Sequence, residues 1–177
     1  MKDLSSVERR ALHIKLLLMD CDGVLTDGRL WLLDDDDEQK SFHTHDGLGL
    51  ALLRRAGLKA GIITGRTSNV VDRRARELGV EFVRQGQANK LAAFEELLRE
   101  AGVGEHEVAF IGDDLPDIPL MKRSELAVAV ADAGAETRAA AHLVTHAAGG
   151  HGAVREVVEL ILKTQGRWND LVEEYLR

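Results

Sequence analysis

A single cysteine, Cys21, stands in 177 residues, so no disulfide can close within the chain and a reducing compartment is the simplest setting. An excess of positive charge is also missing. The sequence holds 30 acidic against 23 basic residues, a formal charge of −7. That is the wrong sign for a protein that binds nucleic acid by releasing phosphate counterions. Long apolar runs are absent too: residues 14–19, with one lysine among them, fall far short of the about 20 residues that cross a bilayer. The N-terminus lacks the basic-then-apolar plan of a secretory signal. There is no internal repeat, and the only biased stretches are the acidic run at residues 34–38 and a short alanine run at 139–141. These absences set the expectation of a cytoplasmic protein with no nucleic-acid partner and no membrane contact.

What is present matches a folded globular chain, with hydrophobic residues at 45% and charged residues at 30%. The length suffices for one sizeable core and is short for two, so residues 1–177 read as one domain. The net negative charge does nothing to draw in an anionic substrate. Any phosphate site must therefore rest on a metal ion and on local lysine, arginine and backbone N–H groups.

Short apolar runs alternate with longer amphipathic ones. Residues 15–20, 59–64, 80–83, 108–112 and 126–130 read as strands, each nearly continuous in apolar character, as strands covered on both faces are. Residues 48–56, 68–78, 90–101 and 135–141 have helical composition and spacing, with Gly57, Gly79 and Gly102 placed as stops. The alternation predicts a three-layer, Rossmann-like α/β fold with a parallel sheet. One insertion breaks it: residues 29–33 and 39–43 flank the acidic run and predict a β-hairpin flap over about 29–43, with Asp34 to Asp37 as a solvated tip rather than a metal site. Residues 166–177 form either a terminal helix or a tail.

In an open parallel sheet ligands gather outside the carboxyl ends of the strands. There the sequence places Asp20 and Asp22 after the first strand, Thr64, Gly65 and Arg66 after the second, and Asp113 and Asp114 after the fourth, with Asp117 a turn later. Lys90 opens the helix between the third and fourth strands. This is an inventory for phosphoryl transfer with Mg²⁺, a hard ion that takes one or two carboxylates plus water and phosphate oxygens. Asp20 is the expected nucleophile and, with Asp113, a metal ligand. Asp22 would turn its carbonyl to the metal and its carboxyl to the leaving oxygen, as acid and then as base. Thr64 and Lys90 would hold the nontransferred oxygens.

These residues resemble the motifs of the haloacid dehalogenase superfamily: Asp-x-Asp-Gly-Val at 20–24, Thr64, Lys90, and Gly-Asp-Asp at 112–114 followed by Asp117, one residue early. The closer resemblance is to 3-deoxy-D-manno-octulosonate 8-phosphate phosphatases. It is carried by residues 20–28, Ile63-Thr64-Gly65-Arg66, Gln85-Gly86-Gln87-Ala88-Asn89-Lys90, residues 129–133 and the segment Gly149-Gly150-His151-Gly152-Ala153-Val154-Arg155-Glu156. The resemblance implies a haloacid dehalogenase-like fold without a separate cap domain and a small phosphorylated sugar acid as substrate. It also implies a place in lipopolysaccharide precursor synthesis, and a homotetramer in which a neighbour's hairpin or tail closes each site. Asp114 or Asp117 would assist from behind the metal ligands. The chain departs from many of those relatives at residues 42–47 and at His151.

Other readings accompany this one. Arg66, His45, Asp46 and Gly65 are candidate substrate contacts, with Asp46 also a good N-cap for the helix that starts there; His43 and His45 would suggest zinc only if they shared a face and found further ligands, and substrate contact or plain surface is the preferred reading. Gly149 to Gly152 reads as a mobile turn or a binding loop. Cys21, between two carboxylates, is a poor thiolate nucleophile. A phosphatase for a nine-carbon ulosonate phosphate and a noncatalytic assembly module are the alternatives. Loss of Asp20 or Asp113 would mark the latter, and both are present.

Overall fold

Four apolar residues near the N-terminus become the middle of a sheet. Leu16–Met19 is β1, and all four side chains are fully buried; hiding each from water on both faces is worth about 1.5–3 kcal/mol. The computed structural model describes residues 5–33 and 38–177, so Asp34 to Asp37 lie outside the described residues. A capped helix α1, Ser6–Ala11, precedes β1. After β1 come a two-rung antiparallel hairpin, β2 Trp31–Leu32 with β3 Glu38–Gln39, and helix α2, Thr44–Arg55. Then follow β4 Lys59–Ile63, α3 Asn69–Leu78, β5 Phe82–Arg84 and α4 Lys90–Ala101. The chain continues through β6 Val108–Gly112, α5 Ile118–Arg123, β7 Leu126–Ala129, α6 Ala135–Ala140, β8 Leu143–Val144, α7 Ala153–Thr164 and α8 Trp168–Glu173.

The six long-range strands pair in parallel in the order β5-β4-β1-β6-β7-β8. The chain thus winds outward from β1 to β5 and returns past β1 to β6, so the strand order reverses at β1. That reversal opens a crevice at the carboxyl end of β1, where such folds bind ligands. Helices α1, α2, α7 and α8 pack together, and α4 packs with α5. Right-handed crossovers place these two groups on opposite faces of the sheet, which gives the predicted three layers.

The predicted strands and helices are found with small shifts. The third expected strand moves from 80–83 to Phe82–Arg84. Gly79 and Gly102 close α3 and α4 in the left-handed conformation, as their positions predicted. The hairpin is real but shorter than expected, and Trp31 and Leu32 are 61% and 75% exposed. Helix α2 begins four residues earlier than the apolar spacing suggested, with His43 as its N-cap; Asp46 is not the cap but lies in the first turn. Helix α7 was not anticipated. Its Val154, Val157, Val158, Ile161 and Leu162 are fully buried, and the helix packs on α2 and α1; their spacing does identify a helix.

Candidate active site

The carboxyl ends of β1, β4 and β6 and the start of α4 meet around a cleft of about 680 Å³. Asp20, Asp22, Thr64, Gly65, Arg66, Lys90, Asp113 and Asp114 line it. Asp20 follows β1 and is 8% exposed. Its Oδ1 accepts a hydrogen bond from the Cys21 N–H at 2.7 Å, and its Oδ2 meets Lys90 Nζ at 2.8 Å. The Asn89 side chain caps α4 by accepting from the N–H groups of Leu91 and Ala92, which fixes where Lys90 leaves the helix. The Lys90 ammonium also reaches Asp117 Oδ1 at 2.8 Å, and the other Asp117 oxygen accepts from the Asp113 N–H at 3.0 Å. Asp117 is wholly buried, whereas Asp114 is exposed and caps the following turn through the Leu115 N–H. Of the two acids whose roles the sequence left open, Asp117 is therefore the one buried against Lys90 and the Asp113 backbone.

Gly23 and Gly149 are required by close approach. A Cβ on Gly23, whose φ is +89°, would fall 2.1 Å from Asp113 Oδ2. A Cβ on Gly149 would lie 1.7 Å from the Gly23 carbonyl oxygen. The Gly150 N–H donates to the Val24 carbonyl at 2.9 Å, and the Gly149 N–H donates to Asp132 Oδ1, also at 2.9 Å. The segment read as a mobile turn or binding loop is thus a brace beneath the loop that carries Asp20 and Asp22.

One carboxylate oxygen from each of Asp20, Asp113 and Asp117 lies within 4.8 Å of the others. The Lys90 ammonium is shared between Asp20 and Asp117. Burial, and then the charge of Asp117, raise the Asp20 pKa to about 6. Burial, Asp117 and Asp20 raise that of Asp113 to about 8. Burial opposes the Lys90 charge, but Asp117 and Asp20 outweigh it and lift its pKa above the ordinary lysine value. Asp113 Oδ1 is buried without a hydrogen-bond partner. An orphaned, buried carboxylate oxygen beside two further acids suits a hard divalent cation. Cys21 is buried, which together with Asp22 drives its thiol far above the usual range and excludes it as a nucleophile.

Comparison with known proteins agrees with this chemistry. Residues 80–157 match the family model described as haloacid dehalogenase-like hydrolase. The chain is 43% identical over 164 residues to the 3-deoxy-D-manno-octulosonate 8-phosphate phosphatase of Salmonella typhi, covering 93% of this chain and 87% of that protein. It belongs to the 3-deoxy-D-manno-octulosonate 8-phosphate phosphatase family. The Moraxella catarrhalis phosphatase of that name, solved with a magnesium ion, a phosphate ion and a KDO molecule, superposes with a TM-score of 0.94 at 41% identity, covering 98% of this chain and 99% of that one. The Yersinia pestis phosphatase superposes with a TM-score of 0.92 at 42% identity, covering 93% and 89%.

Within this octulosonate phosphatase family member, two expected substrate contacts lie away from the cleft. Asp46 is 1% exposed, and its carboxylate accepts from the Gly152 N–H at 3.2 Å and the Arg155 N–H at 2.8 Å, capping α7. His45 is exposed on α2 and does not line the cleft. Asp46 resembles a local N-cap in sequence because the helix it caps is distant in the chain.

Sequence reasoning also missed Lys40. Its side chain is fully buried, with the ammonium on Asp22 Oδ1 and 3.4 Å from Glu38 Oε1. Arg66 completes a ring of alternating charge, 3.1 Å from Glu38 Oε2 and 3.9 Å from Asp22 Oδ2. A lysine in a polar hairpin gives no sequence signal of burial. These ion pairs tie the hairpin to the loop that carries Asp20 and Asp22, the buried Lys40 more strongly than the half-exposed Arg66.

Proposed function

We propose that the protein hydrolyses 3-deoxy-D-manno-octulosonate 8-phosphate to the free sugar acid and inorganic phosphate, with Mg²⁺ as cofactor, in lipopolysaccharide precursor synthesis. The observation that carries this reading is the convergence of Asp20, Asp22, Thr64, Lys90 and Asp113 on one cleft. Asp20 attacks phosphorus, forming an aspartyl phosphate as the bond to the sugar oxygen breaks. Asp22 gives that oxygen a proton, then takes one from the water that cleaves the aspartyl phosphate and restores Asp20. Lys90 and the Thr64 hydroxyl stabilise the charge spread over the nontransferred oxygens. Asp20, Asp113 and the Asp22 carbonyl would hold the Mg²⁺, which supplies charge neutralisation at the phosphate. Asp117 keeps Lys90 and Asp113 in place from behind.

Phosphate release measured across a panel of phosphorylated sugars tests the substrate. The eight-carbon sugar acid phosphate should give the highest kcat/KM; a clear preference for a nine-carbon ulosonate phosphate would overturn the assignment. Arg66 is the proposed partner of the sugar carboxylate, being half-exposed at the cleft rim. Arg66→Ala should raise KM for the sugar acid phosphate about tenfold or more, while KM for p-nitrophenyl phosphate stays within about twofold. Equal effects on both would assign Arg66 to the phosphate or to the fold.

The same reading includes one domain over residues 1–177, a cytoplasmic setting, and a homotetramer that shields each site. Among the described residues no helix is long and apolar enough to cross a membrane. Support for assembly comes from the hairpin, where four successive large apolar residues, Leu30, Trp31, Leu32 and Leu33, are 40%, 61%, 75% and 45% exposed, exposure of the kind that marks interfaces. Replacing Trp31 and Leu33 by Ser should shift the solution mass towards smaller species and lower activity together. Light scattering that finds the parent protein monomeric and fully active would sink this part of the proposal.

A further inference from the structure

Lys40 sits on a hairpin whose neighbouring residues, Gln39 and Ser41, are exposed. A lysine there ordinarily extends its four-carbon stem until the ammonium reaches water. Instead its side chain has no exposed surface at all. Burying an ammonium is unfavourable unless carboxylates replace its hydration, and the carboxylates that do so are Asp22 and Glu38. Each oxygen of Asp22 then faces a different cation, Oδ1 Lys40 and Oδ2 Arg66. The two cations are not equal holders. Arg66 is 48% exposed and 3.9 Å away, at the limit of an ion pair, whereas Lys40 is in direct contact and dry. Solvent weakens the first interaction and leaves the second intact.

We propose that Lys40 is a positioning residue for the reaction: the hairpin uses its buried ammonium to set the orientation of the Asp22 carboxyl group at the leaving-group side of the cleft. This rests on the phosphatase reading, with Asp22 as proton donor. Lys40 has no exposed side-chain surface and does not line the cleft, so it has no direct contact with the substrate to lose. Its influence is therefore confined to steps in which the placement of Asp22 counts. Departure of an alkoxide needs the proton that Asp22 delivers, and departure of a nitrophenolate does not.

The test compares kcat/KM, which reports the step in which the leaving group departs, for two esters without a carboxylate: glycerol phosphate and p-nitrophenyl phosphate. Lys40→Met should lower the value for glycerol phosphate by about tenfold to a hundredfold, within the range that general acid catalysis contributes. The value for p-nitrophenyl phosphate should stay within about threefold, and Lys40→Arg should recover most of the loss. Inhibition by inorganic phosphate should be unchanged. If Lys40→Met does not fold, as judged by thermal melting, Lys40→Gln carries the same comparison. Equal losses on both esters, or a weakened phosphate inhibition, would overturn the proposal, because Lys40 would then serve the fold or the phosphate. Asp22→Ala run in parallel separates the premise from the inference. If Asp22→Ala discriminates between the esters and Lys40→Met does not, Lys40 has no positioning role; if Asp22→Ala fails to discriminate, Asp22 is not the proton donor and the premise itself falls.

Discussion

Asp20→Asn should lower turnover by three or more orders of magnitude while the protein stays folded. The substitution keeps the size of the side chain and an oxygen that can accept from the Cys21 N–H, now 2.7 Å from Asp20 Oδ1. It removes the attacking charge, and a loss of a thousandfold corresponds to about 4 kcal/mol of barrier. Lys90 would not be stranded, because Asp117 stays 2.8 Å from its ammonium. Melting should therefore not fall even as kcat collapses, and without metal at pH 8 it should rise, because a strained charge is gone. A purified variant within about tenfold of the parent, a change of under about 1.4 kcal/mol, would show that Asp20 is not the nucleophile.

Removing divalent metal should abolish turnover, and Mg²⁺ should restore it, whereas Ca²⁺ should support little because its larger, looser coordination misplaces the nucleophile. Full activity in excess chelator would end the proposed mechanism. Chelation should also make stability depend on pH in a definite direction. Asp113 and Asp20 have pKa values of about 8 and about 6 in the folded protein, above the ordinary aspartate value of 3.8. The metal-free folded chain thus binds more protons than the unfolded chain between about pH 4 and pH 8, and it loses stability as pH rises through that window. Thermal melting in chelator should be lower at pH 8 than at pH 5, and added Mg²⁺ should raise the pH 8 value more. A melting temperature in chelator that is as high at pH 8 as at pH 5 would contradict the strained carboxylate cluster.

The cleft was legible in the sequence because its residues end strands that are apolar throughout. β1 and β6 are buried at every position, so each announces its own boundary, and the first polar residues after them, Asp20 and Asp113, fall at the strand-order reversal. Local rules failed where a side chain serves a distant partner. Asp46 has the chemistry of a cap for its own helix, yet its carboxylate satisfies the start of α7. Lys40 looks like a solvated hairpin residue, yet its side chain is buried, with its ammonium on Asp22, a residue 18 positions away in the chain. Gly149 and Gly150 look like flexible punctuation, although their lack of side chains is what lets them touch residues 23–26. The choice between Asp114 and Asp117 depended on which one the turn after β6 points inward, and spacing alone does not determine that.

The brace formed by Gly149 and Gly150 also bears on the order in which the molecule is made. The loop that carries Asp20 and Asp22 is made early, but its support, and the helix whose start Asp46 caps, come much later in the sequence. At ribosomal rates of about 5–20 residues per second, the interval between the two is on the order of ten seconds. During that time β1 has been synthesised without β6 as its second partner, then without the brace. A nascent chain therefore carries the whole Asp20 motif well before the segment that braces it has been made.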